Sequence, residues 1–153
     1  MTITYSLLLK IAAVLWIIWG LVHMLAGVII ISSDASGAVA AVADAVDPNL
    51  IAGEFHPAVG AVLNQHGFNL LWIGAFTVVG AIFIWRESIT FIFMTAIVGW
   101  VTDVGYFIFM DLGGFVNFVP GTVMTIISTA AVVLSFVAYF TGLRGQNMGF
   151  ETS

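Results

Sequence analysis

Long apolar runs separated by short polar breaks organise this chain. Four runs reach the roughly 20 residues that a helix needs to cross a bilayer. They cover about 8–31, 61–85, 89–110 and 119–141. The breaks carry turn chemistry: "SSDASG" closes the first run, Arg86-Glu87-Ser88 separates the second from the third, and "DLGG" at Asp111 to Gly114 closes the third. Pro120 suits the first turn of the fourth run, where its missing N–H costs nothing. The pattern predicts an all-α bundle of four transmembrane helices in a single domain, followed by a polar tail over 142–153.

The long break at 33–60 has a pattern of its own. Val39, Val42, Ala43 and Val46 recur at helical spacing until Asp47-Pro48-Asn49 interrupts them. This predicts a short helix lying at the membrane interface. Pro57 is the earliest start for the second span, and a start there makes that span longer than the bilayer needs, so its outer end tilts or protrudes.

Inside each run the polar and small residues fall on stripes. The first run has Trp16, Gly20, His23 and Gly27; the second has His66, Asn69, Ile73 and Gly80. The third has Thr95, Gly99, Thr102, Asp103 and Tyr106; the fourth has Gly121, Thr125, Ser128 and Ser135. Spacings of three, four and seven put each set on one helix face. Small residues let helix backbones approach, and hydroxyls join helices by hydrogen bonds, so these faces are expected to meet in the bundle interior. Gly67 and Gly74 are placed for close contact with a neighbouring helix.

Composition sharpens the class. Of 153 residues, 61% are hydrophobic and 7% charged, and the mean hydropathy is +1.16. A soluble domain carries about 25% charged residues, so this chain is expected to be an integral membrane protein. The first run has only Lys10 before it. At about 21 residues it exceeds the h-region of a signal peptide, and it is read as a retained helix. There is no cysteine, which excludes disulfides, thiolate metal sites and a cysteine nucleophile. A net charge of −5 and the lack of any basic cluster argue against nucleic acid as a partner.

Charge also sets the expected orientation. Lys10, Arg86 and Arg144 are the three basic residues, and all fall on one side of the four spans. The 33–60 segment has neither Lys nor Arg and carries Asp34, Asp44, Asp47 and Glu54. The positive-inside rule then puts both termini in the cytoplasm of a bacterial-type inner membrane, with the acidic loop outside. Trp85 and Tyr139 fall at the inner boundary, where aromatic rings anchor helices.

Three ionisable residues lie inside the runs, where such groups are costly and point to function. They are His23, His66 and Asp103. Counting about 1.5 Å per residue, all three fall roughly 12–13 Å from the outer helix ends, if the second span starts at Pro57. Ser128 shares that depth. Two imidazoles and a carboxylate suit Zn²⁺ or non-haem Fe²⁺, with Glu54 and His56 as additional ligands or guards of the entrance. Asn69, Tyr106, Ser128 and Trp19 would supply supporting hydrogen bonds or ligand contacts. Met24, Met110 and Met124 in the same half would favour copper. A b-type haem held axially by His23 and His66 is an alternative. A third reading needs no metal: His, Asp and Tyr106 act as acid and base, or relay protons, for a lipid-soluble molecule. Metal binding is the leading expectation. The reading from a different class is a non-catalytic accessory subunit, a homo-oligomer or part of a larger membrane complex, using its small-residue faces for packing. Asp111 and Asn117, beside the Gly-Gly turn, are expected to cap helix ends.

Overall fold

The computed structural model describes residues 5–143, so Arg144 and the rest of the polar tail lie outside the described residues. Helices form all the regular structure within them. They are α1 (Tyr5–Ser32), α2 (Ala35–Val42), α3 (Pro48–Ile51), α4 (Pro57–Trp85), α5 (Ile89–Asp111) and α6 (Phe118–Gly142). The four long ones, α1, α4, α5 and α6, are each long and apolar enough to cross a membrane. Their outward faces show what a soluble surface avoids: Leu25 is 61% exposed, Val62 65%, Ile97 65% and Phe109 73%. The inward faces bury Trp16 and Trp19 of α1 against Ile73 and Ala81 of α4, Ala96 of α5 and Ala131 of α6.

Local chemistry sets the helix boundaries. α4 begins at Pro57 because proline suits the first turn and the His56 ring accepts from the Ala58 N–H at 3.2 Å. Asp34 caps α2 through the Gly37 N–H at 2.7 Å, and Asp47 caps α3 through the Asn49 N–H at 2.9 Å. The α4–α5 turn is a Schellman closure: Glu87 N–H donates to Ile84 O and Ser88 N–H to Phe83 O. It places Glu87 at φ 64°, the left-handed region that favours glycine. At the start of α6, Val119 stays extended (φ −118°, ψ 125°) because the following Pro120 disfavours helical backbone there. α5 contains two wider turns, Ala96–Trp100 and Phe107–Asp111. Each re-phases the helix face, and between them Asp103 points inward.

Glycines decide how α1 meets α4. A Cβ on Gly20 would sit 2.7 Å from the Gly74 carbonyl oxygen, and one on Gly67 would sit 2.9 Å from the Gly27 carbonyl oxygen. The paired glycines are seven residues apart on both helices and run in opposite directions, so α1 and α4 cross as an antiparallel seam with backbone against backbone. Gly20, Gly27, Gly67 and Gly74 are therefore all engaged within the chain.

At one end of the bundle the 33–56 segment folds over the helices. α2 buries Ala38 against them. The segment is then tied to the α5–α6 turn: the Asn117 N–H donates to the Asp44 carboxylate at 2.7 Å, Asn117 Nδ2 donates to the Asp44 carbonyl at 3.0 Å, and the Ala45 N–H donates to Phe115 O at 3.1 Å. Asn117 occupies the N-cap position of α6, but its side chain makes no cap hydrogen bond and fastens the loop. The helix expected to extend to Val46 stops at Val42, as the chain turns toward this clasp.

Candidate functional site

Trp19 and His23 are one turn apart on α1, so their side chains share a face. Their rings stack, with centroids 3.6 Å apart and planes at 20°. The indole Nε1–H of Trp19 donates to Oδ2 of Asp103 on α5 at 2.6 Å. His23 Nδ1 lies 2.9 Å from the carbonyl oxygen of Trp19. A carbonyl only accepts, so Nδ1 carries a proton, and Nε2 is left facing Asp103 Oδ1 at 3.6 Å. A bare Nε2 lone pair against an ionised carboxylate would be repulsive. The geometry is favourable when one proton lies between them, as imidazolium with carboxylate or as imidazole with carboxylic acid. Burial makes this pairing matter: Trp19 is 0% and Asp103 2% exposed, and a lone charge there would be costly.

His23 and Asp103 of this network line a cavity of about 100 Å³, room for several waters or a small ligand group. Each of the four long helices lines it. α1 supplies His23 and Ile30, α4 supplies His66 and Leu70, α5 supplies Asp103 and Tyr106, and α6 supplies Gly121 and Met124. Ala41, Val42 and Asp44 of the folded-over segment form the mouth. The Tyr106 hydroxyl lies against Gly121 of α6, where an added Cβ would sit 2.9 Å from it.

His23, His66, Asp103 and Tyr106 therefore meet at one cavity, and Trp19 joins His23 and Asp103 beneath it. The other expected residues lie elsewhere. Glu54 and His56 are exposed in the loop, and the His56 Nδ1 lone pair is used in the α4 cap. Asn69 accepts from Trp72 Nε1 at 3.2 Å on the exposed face of α4. Ser128 is buried, but its hydroxyl donates to the Thr125 carbonyl. Among the described residues no three of His, Asp and Glu come together closely enough to hold a metal ion. Of the candidate ligands, His23 and Asp103 are paired, with Nε2 and Oδ1 3.6 Å apart. For the haem alternative, His23 Nε2 faces Asp103 in this arrangement and Nδ1 faces a carbonyl. Met24 packs beside Gly74, while Met124 reaches the cavity.

Sequence reasoning missed one acidic residue of the cavity. Asp44 reaches the cavity mouth from a loop, where hydropathy and periodicity give no signal of direction. Outside the cavity, Asp111 accepts from the Thr122 hydroxyl instead of capping a helix, and its Oδ2 is buried without a hydrogen-bond partner among the described residues. Comparisons with protein-family models, with curated proteins and with solved structures find no match.

Proposed function

We propose that this is a multi-pass membrane protein whose cavity faces the outer side of a bacterial-type inner membrane and binds a small lipid-soluble molecule over a proton-holding pair. The observation that carries the reading is the buried Trp19–Asp103–His23 network, whose His23 and Asp103 line a cavity walled by all four long helices. A pair that holds one proton between two sites can deliver it to a ligand group in the cavity and recover it afterwards. Trp19 holds both members, through its N–H, its carbonyl and its ring. The orientation follows from charge: Lys10 and Arg86 lie at one end of the bundle, and the acidic segment lies at the other. The accessory-subunit reading finds less support, because the glycine faces that would serve a partner are engaged within the chain.

The test is native mass spectrometry of the purified protein in mild detergent, with elemental analysis and infrared spectra of the same sample. The reading expects a retained apolar small molecule that Asp103→Asn and His23→Phe lose while keeping their helical content. It also expects a carboxyl signal from Asp103 that shifts on ligand release. Near-stoichiometric zinc, iron or copper, lost on His66→Ala, would replace it with the metal-site reading. Identical ligand content in wild type and both variants would refute a binding role for this cavity.

A further inference from the structure

Along the 33–56 segment Ala38 is the one buried residue. The segment leaves α1 after Ser32 and rejoins the bundle at Pro57, so both of its ends are anchored on the α1–α4 side. Its middle reaches the cavity, where Ala41, Val42 and Asp44 share the lining with Pro120 and Gly121 of α6. The hydrogen bonds that tie it to the α5–α6 turn gather at one point. There the Asn117 N–H donates to the Asp44 carboxylate, Asn117 Nδ2 to the Asp44 carbonyl, and the Ala45 N–H to Phe115 O. Asp44, Ala45, Phe115 and Asn117 are all exposed. A segment with little buried apolar surface and exposed hydrogen bonds opens at a lower free energy than the helices it covers. Asp44 belongs both to the cavity wall and to this clasp, so releasing the clasp moves part of the wall.

We propose that the 33–56 segment is a lid on the cavity and that the Asp44–Asn117 clasp is its latch. The lid opens by letting go of the α5–α6 turn while its two ends stay on α1 and α4, and the open form admits water-soluble molecules to His23 and Asp103. This goes beyond the pocket reading above, because it concerns access and holds whatever the cavity binds.

The chain has no cysteine, so an introduced one is its single thiol. Reporters are made one at a time in the full chain, held in nanodiscs and treated with hydroxyethyl methanethiosulfonate, a small, neutral, water-soluble reagent. Intact mass gives the rate of modification. Ala26→Cys reports on the cavity wall, between His23 and Ile30 on α1. Leu50→Cys, at a position 79% exposed on α3, gives the unhindered rate, and Ala131→Cys, at a position 0% exposed in the core, reports opening of the whole bundle. Modification of a covered thiol follows the population of the open form when reclosing is faster than reaction. The expected result is that Ala26→Cys reacts about tenfold or more slowly than Leu50→Cys. Asn117→Ala and Asp44→Ala, each of which removes one latch hydrogen bond, should each speed it about two- to tenfold and leave Ala131→Cys unreactive. Met124→Cys, on the α6 wall of the cavity, should repeat the pattern and guards against a fault peculiar to one reporter. Cavity reporters that react as fast as Leu50→Cys would overturn the proposal, since the mouth would then stand open. Rates unchanged by both latch substitutions would overturn it too, because entry would not pass the lid. Equal acceleration at Ala131→Cys would replace the lid with general loosening of the bundle. The ligand content measured above is read separately, so none of these outcomes decides the pocket reading.

Discussion

Replacing Gly20 or Gly74 with alanine tests the architecture that brings α1 against α4. In Gly20→Ala the new Cβ would lie 2.7 Å from the Gly74 carbonyl oxygen, and in Gly74→Ala it would lie 2.5 Å from the Gly20 carbonyl oxygen. Ordinary contact begins at 3.4 Å, so the shortfall is about 0.7–0.9 Å, which a packed interior does not absorb without moving. The obstacle is a helical carbonyl, which cannot rotate away as a side chain would. The helices must separate, and overpacking of this kind costs about 1–3 kcal/mol. Alanine's advantage in helix propensity offsets little of it, because separated spans in a bilayer are already helical. The folded-to-unfolded ratio should fall about five- to 150-fold. The assay is reversible unfolding in mixed micelles followed by circular dichroism. Gly105→Ala is the control, since a Cβ there meets nothing within 4 Å, and it should stay within about 0.5 kcal/mol of wild type. Gly20→Ala and Gly74→Ala should also be non-additive when combined, because one separation relieves both clashes. If both variants unfold like the Gly105→Ala control, the backbone-to-backbone seam is wrong. The result also bears on the site, because His23 lies between Gly20 and Gly27 on α1, and a displaced α1 would carry it away from Asp103.

Trp19→Phe keeps the stacked ring but removes the donor to Asp103, and should cost about 1–3 kcal/mol in the same unfolding assay. A neutral result would mean that the indole hydrogen bond does not hold the carboxylate. Asp103→Ala leaves both the Trp19 N–H and the His23 ring without their partner and should cost about 3–5 kcal/mol. Asp103→Asn keeps an acceptor for Trp19 and should cost clearly less, so equal losses would refute the assigned pairing. Glu87→Gly relieves the left-handed backbone at the α4–α5 turn and should stabilise the protein by up to about 1 kcal/mol, read as a higher melting temperature. Asn117→Ala removes the side-chain half of the loop clasp and should speed amide exchange around Ala45, whose N–H is bonded to Phe115 O, with little change in global stability.

The amino-acid sequence by itself determined how many long helices form and approximately where they end. Apolar run length and turn residues act locally along one dimension. The one sizeable shift is the start of α4 at Pro57 instead of residue 61, and its cause, a proline in the first turn under the His56 cap, is also local. The stripes likewise identified which face of each helix carries small and polar groups, because helical spacing is a property of one chain segment. Counting from the helix ends put His23, His66, Asp103 and Ser128 at one depth; the first three line one cavity together with Tyr106, and Ser128 does not line it.

Only the tertiary structure decided what those faces touch. Gly20 finds Gly74, and Gly27 finds Gly67, because two backbones can approach only where both helices lack a side chain at the same height. Periodicity on one helix cannot supply that pairing. The same holds for Trp19, whose indole reaches a carboxylate 84 positions away, and for Asp44, which a loop carries to the cavity mouth. Asn69 shows the opposite outcome. It shares a stripe with His66, but its side chain turns to Trp72 on the exposed face. A stripe about 100° wide per face cannot tell a residue at its edge from one at its centre. Depth and face can be read from spacing alone, whereas direction and partner depend on the packing of all four helices at once.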